Sequence, residues 1–425
     1  MPDRQTDLAS AIESVVGGEN LTQASITIDG VRPSLIAKPK SAVEVAACLR
    51  VCAELNAAVA PAGLMTWLEC GNPLRRADVV LSLQRMRGIV EYSPPDLTAT
   101  VEAGLALSDF TVVTVAERQW LPIDPPGFRS ASLGAIAACN SSGALRLGFG
   151  TPRDYVIGLR VAHADGTQSK SGGSVVKNVA GYDLNKLYVG SYGTLAIITE
   201  LTFKLRPLAE CSATMMITAK SRAPLLRLAD RVLASHLQPA SVVFTRRILT
   251  RLSPMGPDET LLIRFIDSDP AVEHQISWVV TSIDAECQAR VLDQSEAVVV
   301  WTEAADFQAT GIQVKISVPL SEVTAVLEKV LSAHSESVAT ADLGAGIIRM
   351  EFDADERDAS GQIKRLRVVA GAAGGTLFVE KAPAEVRRNA DAWGAVGSSE
   401  QLMLSMKQRF DPQALLNPGK FVLSI

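Results

Sequence analysis

The sequence predicts an α+β protein, and three features of its 425 residues support this class. Segments with strand-like and helix-like patterns alternate along most of the chain. Residues 35–62 show the order strand, helix, strand, which is typical of a βαβ unit with parallel strands. Residues 313–380 show strand, helix, strand, helix, strand, which matches half or more of a ferredoxin-like split βαβ sandwich. The length allows two or three domains with cores of their own.

Local signals place the individual elements. Ser41-Ala42-Val43-Glu44 has the pattern of a capping box, in which the serine hydroxyl accepts a helix N–H and the glutamate reaches back to the cap. Asp165-Gly166, between two strand-like segments, predicts a hairpin turn. The predicted strands are 35–39, 57–62, 78–83, 88–92, 98–102, 156–162, 195–205, 313–318, 347–352 and 376–380. The predicted helices are 41–56, 108–119 with Ser108 as its cap, 321–334, 359–372 and 399–409.

The composition argues against several classes of function. A formal net charge of −5 without a basic run disfavours a nucleic-acid partner. The longest apolar stretches are far too short for a transmembrane segment, and the N-terminal residues show no secretion signal. The six cysteines include no C-x-x-C pair, which fits reduced thiols in a cytoplasmic protein.

Patterns of metal ligands are missing as well. The four histidines are His163, His236, His274 and His334, and no two are close enough in sequence to share a metal through one helix or strand. The cysteine spacing fits neither an iron–sulfur cluster nor a structural zinc site. We therefore predict no metal site, and the sequence identifies no catalytic residue.

The glycines are concentrated in one region. Of the 30 glycines, 12 lie between Asp124 and Arg206, mostly at the ends of predicted strands and helices. Glycine permits backbone conformations with φ > 0 and lets a ligand approach the main chain closely. Neighbouring Ser, Thr and Asn residues add hydroxyls and amides. The region therefore predicts a wall of backbone N–H groups suited to a phosphate-bearing cofactor.

Specific motifs in this region resemble a known flavoprotein family. The block from Gly173 to Leu184, continuing from Lys186 to Glu200, resembles the flavin domain of the vanillyl-alcohol oxidase/p-cresol methylhydroxylase (PCMH) family. Within that family it is most similar to the FAD-binding subunit of bacterial glycolate oxidases. Further agreeing segments are 133–143, 149–155, 164–166 and the closing 411–420. The resemblance is strong over residues 32–208 and 399–421.

The resemblance implies a fold and a division into domains. Residues 1–30 would lead into a PCMH-type FAD-binding domain of two α+β subdomains over 31–208. A ferredoxin-like α+β cap domain, for substrate or subunit contact, would cover 209–398. Residues 399–425 would return to the FAD-binding domain.

The resemblance also implies which residues contact FAD. In this family two loops hold the cofactor, and a strand after Gly193 passes backbone groups to it. The first loop contributes Gly63, Leu64, Met65, Thr66 and Gly71. The second loop and the strand contribute Pro125, Ser132, Gly134, Asn140, Ser142, Gly143, Gly150, Gly193, Ile197 and Ile198. Gly134, which opens a helix of small residues, would place the helix N-terminus near the phosphates. FAD would be non-covalent, because no histidine precedes His163.

The first loop departs from the family pattern. A run such as Gly-Gly-Gly-Thr is expected there, whereas this chain has Leu64 and Met65 at two of the glycine positions. If the backbone needs φ > 0 at these positions, each side chain costs roughly 1–2 kcal/mol.

The resemblance implies an FAD-dependent oxidoreductase, specifically a subunit of a 2-hydroxy-acid (glycolate or D-lactate) dehydrogenase complex. Its partners would be a second flavin subunit and an iron–sulfur subunit, with peripheral membrane contact only through partners. Relatives that oxidise 2-hydroxy acids themselves usually carry a metal motif of the form His-x-x-x-Gly-Asp-Gly-Asn-x-His, which residues 211–398 lack. Two alternatives remain open: a flavin-free scaffold subunit of such a complex, and a stand-alone FAD oxidoreductase.

Overall fold

The computed structural model describes residues 2–127, 130–175, 182–247, 259–305 and 311–425. Residues 176–181 of the family-like block therefore lie outside the described part of the chain. The chain divides into two compact units. The first unit comprises Met1–Ser141, Thr151–Leu208 and Ala395–Ile425, and the second comprises Ser142–Gly150 and Ala209–Gly394.

The strands and helices have the following bounds. The strands are β1 Leu21–Gln23, β2 Leu35–Ala37, β3 Val59–Ala62, β4 Val79–Ser82, β5 Ile89–Ser93, β6 Thr98–Glu102, β7 Gln119–Trp120, β8 Val156–Ala162, β9 Gln168–Gly172, β10 Ile197–Lys204, β11 Arg206–Pro207, β12 Cys211–Ala219, β13 Ser241–Arg246, β14 Glu259–Asp267, β15 Cys287–Val291, β16 Ile312–Ser317, β17 Val338–Asp342, β18 Ile347–Phe352 and β19 Thr376–Lys381. The α-helices are α1 Pro2–Val16, α2 Ala42–Glu54, α3 Leu107–Ala116, α4 Leu133–Cys139, α5 Arg146–Phe149, α6 Pro152–Tyr155, α7 Asn185–Tyr188, α8 Arg222–Leu233, α9 Asp269–Ser282, α10 Gln294–Ala305, α11 Val323–Ala333, α12 Glu356–Ala372, α13 Ala384–Ala390 and α14 Glu400–Phe410.

The predicted βαβ unit forms the centre of the first sheet. Within the described residues this sheet has the order β1-β2-β4-β3. Strands β2 and β3 both run parallel to β4, which lies between them. The prediction of parallel strands is thus confirmed, although the two strands are not neighbours. Apolar side chains from β2, β3 and β4 form a buried cluster with Ile28 and Leu74.

The helix cap at Ser41 differs slightly from the predicted capping box. The Ser41 hydroxyl accepts a hydrogen bond from the Glu44 N–H at 3.2 Å, as expected. The Glu44 carboxylate, however, accepts from the Lys40 N–H at 2.9 Å. The reciprocal hydrogen bond is therefore displaced by one residue toward the N-terminus. The side chains of Ser41 and Glu44 still each accept a backbone N–H.

Helix α3 corrects another prediction. Ser108 was expected to cap this helix, but the N-cap is Ala106, one residue before the helix begins at Leu107. Ala106 forms an isolated antiparallel bridge with Ser132. This tertiary contact is accompanied by extended backbone at residue 106 (φ −72°, ψ 143°), so the helix starts without a side-chain cap.

The second sheet of the first unit has the order β5-β6-β10-β8-β9, with antiparallel neighbours throughout. The turn between β8 and β9 contains Asp165-Gly166, with φ of +79° at Gly166. The Asp165 carboxylate accepts hydrogen bonds from the Thr167 N–H and hydroxyl. The predicted hairpin is thus confirmed.

The second unit contains two ferredoxin-like βαββαβ motifs, whereas the sequence indicated one. Strands β16–β19 with α11 and α12 form the motif predicted in part, and β12–β15 with α8 and α9 form the other. Within the described residues the sheet order is β15-β12-β14-β13-β17-β18-β16-β19. The antiparallel pair β13 and β17 joins the edges of the two motifs into one continuous sheet.

No helix within the described ranges is long and apolar enough to cross a membrane.

Candidate functional site

The first unit contains a cavity with walls from four parts of the chain. It encloses about 810 Å³ of space, including the part open to solvent. The lining residues are Ala60, Pro61, Ala62, Gly63, Met65, Thr66, Trp67, Leu68, Cys70, Leu74, Leu83, Ala103, Ser132, Gly134, Ala135, Ala138, Cys139, Tyr192, Gly193, Ala196, Ile197, Ile198, Asn417 and Lys420.

The cavity brings together many of the predicted cofactor contacts. Those that line it are Gly63, Met65, Thr66, Ser132, Gly134, Gly193, Ile197 and Ile198. The others in the first unit, which are not among its lining residues, are Leu64, Gly71, Pro125 and Asn140. The remaining three, Ser142, Gly143 and Gly150, belong to the second unit. A role in FAD binding stays a prediction for all of them.

The first wall is the loop after β3, which is packed tightly against the start of α4. A Cβ atom on Gly63 would lie 1.9 Å from the Ser132 Oγ, so only glycine fits at this position. The Thr66 hydroxyl donates a hydrogen bond to the Ser130 carbonyl at 2.6 Å. The two loops that the family resemblance assigns to the cofactor are therefore held together directly.

The unusual residues of the first loop differ from each other in conformation. Met65 has a φ of +64°, in the left-handed region that favours glycine. Leu64 is not among the residues with positive φ. The side chain of Met65 packs against the apolar cluster that includes Ile28 and Ala62. Only one of the two replacements thus carries the backbone strain considered from the sequence.

The second wall is α4, which consists of small residues. Ser132 caps the helix, and its Oγ accepts from the Ala135 N–H at 3.3 Å. A Cβ on Gly134 would lie 2.7 Å from both the Cβ and the carbonyl oxygen of Ala103. Close packing on Ala103 is therefore sufficient to require glycine there, in addition to any contact with a ligand. Ala135 and Ala138 also line the cavity, and their side chains are single methyl groups.

The third wall is the turn at Tyr192-Gly193 and the beginning of β10. Both turn residues have positive φ, +55° and +66°. Ile197 and Ile198 pair with β8, whereas pairing of β10 with β6 starts only at Glu200. One edge of β10 is therefore not covered by β6 at the two isoleucines, and both residues line the cavity.

The fourth wall comes from the C-terminal segment, to which the sequence assigned no site role. Asn417 and Lys420 both line the cavity. The Asn417 side-chain amide donates to the Tyr192 carbonyl at 2.8 Å. The Lys420 Nζ is 2.7 Å from the Asp29 Oδ2, and both side chains are buried. Lys420 thus brings a paired rather than an isolated positive charge to this wall.

A buried ion pair anchors this segment. The Lys407 Nζ lies 2.7 Å from the Asp411 carboxylate and also donates to the carbonyls of Thr194 and Leu416. Burial lowers the pKa of Lys407, and the neighbouring Asp411 carboxylate opposes that shift. Leu416 pairs in parallel with Val59, next to the first loop. The tail is therefore part of the cavity's framework.

The lining suits a large ligand with a flat apolar part and a polar part. Small residues permit close approach to the main chain, while Trp67, Ile197 and Ile198 supply apolar surface. No group of three His, Cys, Asp or Glu side chains in the described ranges is placed to hold a metal ion. The arrangement of the lining supports the binding of a cofactor.

Comparison with known proteins decides the identity of the cofactor. Residues 33–172 match the model of an FAD binding domain family. This chain carries an FAD-binding domain. p-Cresol methylhydroxylase with bound substrate matches 99% of this chain and 97% of that one, with a TM-score of 0.76 and 14% identity. Alkyldihydroxyacetonephosphate synthase matches 97% and 86%, with a TM-score of 0.75 and 15% identity. These structures share the fold, and the expected fold class is confirmed.

The sequence relatives of this chain include dehydrogenases and oxidase subunits. Glycolate oxidase subunit GlcD of Bacillus subtilis is 27% identical over 418 residues, 91% of this chain and 88% of the relative. D-lactate dehydrogenase of Anaerostipes hadrus is 32% identical over 231 residues, 54% of this chain and 48% of the relative. Glycolate oxidase subunit GlcE of Escherichia coli is 38% identical over 136 residues, 32% and 39% of the two chains. The expectation of an FAD-dependent oxidoreductase is confirmed.

Proposed function

We propose that this chain is the FAD-binding subunit of a complex that oxidises a small 2-hydroxy acid, glycolate or D-lactate. The named activities of the relatives support this substrate class. In the proposal, residues 31–208 and the returning segment 399–425 form the FAD-binding domain. Residues 209–398 form a cap domain for substrate or subunit contact.

The observation that carries the proposal is the cavity of the first unit, whose walls are the two predicted cofactor loops, β10 and the tail. The two loops pack closely at Gly63, Ser132 and Gly134. Backbone N–H groups of both loops can therefore reach the phosphates, which need several such donors. Ile197, Ile198 and Trp67 exclude water from the apolar part. Bound FAD supplies two-electron redox chemistry, and the residues of this chain bind and orient it.

Similarity to two different glycolate oxidase subunits supports a role in a complex. GlcD matches along most of the chain, and GlcE matches over a shorter segment with higher identity. We propose a second flavin subunit and an iron–sulfur subunit as partners in the cytoplasm. Electrons would pass from the 2-hydroxy acid through the flavins to the iron–sulfur subunit, and membrane contact would come only through these partners.

The absorption spectrum of the purified chain tests the cofactor. We expect yellow protein that releases FAD on denaturation. Ala138→Phe, in the cavity wall, should weaken FAD binding about tenfold or more by filling the space, which corresponds to about 1.4 kcal/mol. Ala116→Phe, on the exposed side of α3, adds the same volume and should bind FAD normally. Protein that stays colourless after incubation with FAD would refute the site.

Turnover tests the place of the chain in a complex. We expect glycolate or D-lactate oxidation by the co-purified subunits and none by the isolated FAD-loaded chain. Turnover by the isolated chain with an artificial electron acceptor would favour the stand-alone oxidoreductase instead. Loss of turnover in the complex carrying Ala138→Phe would show that this cavity's flavin takes part.

A further inference from the structure

Two histidines of the second unit lie close together although they are distant in sequence. His236 follows the end of α8, and His274 lies in the second turn of α9. Their Nε2 atoms are 3.5 Å apart, and both side chains are exposed. No sequence pattern indicates this pair, because it forms only where the turn after α8 approaches α9.

The separation of the two nitrogens is close to that of two ligands of one metal ion. At 3.5 Å, an N–H···N contact between the rings is at the outer limit of hydrogen bonding. A tetrahedral zinc ion with Zn–N distances of about 2.0–2.1 Å holds two ligand nitrogens about 3.3–3.4 Å apart. The ring centroids are 5.8 Å apart, so the two Nε2 atoms face each other almost end-on, and both exposed rings must turn for their nitrogens to point at one ion.

Hydrogen bonds fix the turn that carries His236. The Ser235 hydroxyl donates to the Val232 carbonyl at 2.7 Å and accepts from the Leu237 N–H at 3.1 Å. The Gln238 N–H donates to the side-chain oxygen of Gln275 at 2.8 Å, and Gln275 is the residue after His274. The turn and α9 are thus tied together beside the two rings, which lowers the ordering cost of binding.

One side of the pair is covered by an aromatic ring and the other faces solvent. Trp278, one helical turn after His274, meets the His236 ring edge-on, with centroids 6.3 Å apart at 88°. In the described part of the chain no third His, Cys, Asp or Glu completes a metal-binding group. An ion held here would therefore have two protein ligands, and its other positions would be open to water.

We propose that His236 and His274 form a two-histidine chelate for a divalent transition-metal ion such as Zn²⁺. Imidazole nitrogens suit Zn²⁺, Cu²⁺ and Ni²⁺, whereas Mg²⁺ and Ca²⁺ prefer oxygen ligands. The ion clips the turn after α8 to α9 and so stabilises the first ferredoxin-like motif.

Calorimetry on the tag-free, FAD-loaded full-length chain tests the chelate. We expect one Zn²⁺ per chain and no response to Mg²⁺. His236→Ala or His274→Ala should weaken Zn²⁺ binding about 100-fold, because one remaining imidazole has no chelate partner. His334→Gln, which changes a histidine outside the pair, should bind Zn²⁺ as the wild type does. The same ion should raise the unfolding temperature of the wild type but not of the double variant.

Trp278 provides a second readout. Cu²⁺ should quench part of the tryptophan fluorescence of the wild type, and that part should disappear in Trp278→Phe and in the double histidine variant. Zn²⁺ binding that persists in the double variant and is lost on thiol alkylation would assign the ion to cysteines and overturn the proposal. Absence of Zn²⁺ binding by the wild type at pH 7.5 would overturn it as well.

Discussion

Met65 allows the backbone strain of the first cofactor loop to be measured. Its φ of +64° lies in the left-handed region, where a side chain costs roughly 1–2 kcal/mol relative to glycine. Its partly buried side chain also packs on the apolar cluster of β2, β3 and β4. Met65→Ala removes most of this packing and keeps the strain, whereas Met65→Gly removes both. The glycine variant should therefore be more stable than the alanine variant by about 1 kcal/mol.

The neighbouring Leu64 supplies the matched control, because its φ is not positive. At an ordinary backbone position glycine is less stable than alanine by about 0.5–1 kcal/mol. Leu64→Gly should therefore fall below Leu64→Ala, the opposite order from position 65. The stabilities are compared by thermal unfolding, where 1 kcal/mol shifts the midpoint by about 2–4 °C in a domain of 150–250 residues. If glycine and alanine rank in the same order at both positions, the first loop is not strained at Met65.

Three further changes test other parts of the first unit. Gly63→Ala should lower the free energy of unfolding by more than about 1 kcal/mol, because the added Cβ would collide with the Ser132 Oγ. In urea unfolding, Ser132→Ala in the same chain should recover part of that loss. If the effects of the two substitutions simply add, this contact is contradicted. Lys407→Met should lower the free energy of unfolding by about 3–5 kcal/mol in the same assay, since it leaves the Asp411 carboxylate buried without its cation. A loss below about 1 kcal/mol would show that this ion pair does not anchor the C-terminal segment. Burial lowers the pKa of His163, so the unfolded chain takes up the proton first and stability should fall as the pH drops below about 6.5. His163→Gln should flatten that part of the stability–pH curve, and an unchanged slope would assign it to other groups.

Elements defined by short-range signals were predicted well. The hairpin at Asp165-Gly166 and the helix start at Ser41 depend on contacts between residues at most four apart, which the local sequence contains. Ser108 failed as a cap because the contact between Ala106 and Ser132, which is not local, sets the start of α3. Strand β17 and the first ferredoxin-like motif were missed for a related reason. Each is defined by pairing between strands that lie apart in the sequence, such as β12 with β15 and β13 with β17.

For the cofactor site, the sequence determined the chemistry and the tertiary structure decided the geometry. The glycines, serines and asparagines predicted a phosphate-bearing cofactor, since these residue types suit close main-chain contact with phosphates, and the resemblance to a flavoprotein family narrowed the prediction to FAD. It did not show that Gly134 is also required by packing on Ala103, or that Leu64 and Met65 differ in conformation. Those facts depend on how distant segments approach each other.

The sequence by itself therefore predicted the α+β class and FAD as the cofactor, and it assigned two loops to the cofactor as a prediction. Only the tertiary structure brought Asn417 to the cavity wall, and only it placed His236 beside His274. The physical reason is the same in both cases. Side chains far apart along the chain meet through strand pairing and helix packing, and no local pattern of residues encodes the distance between them.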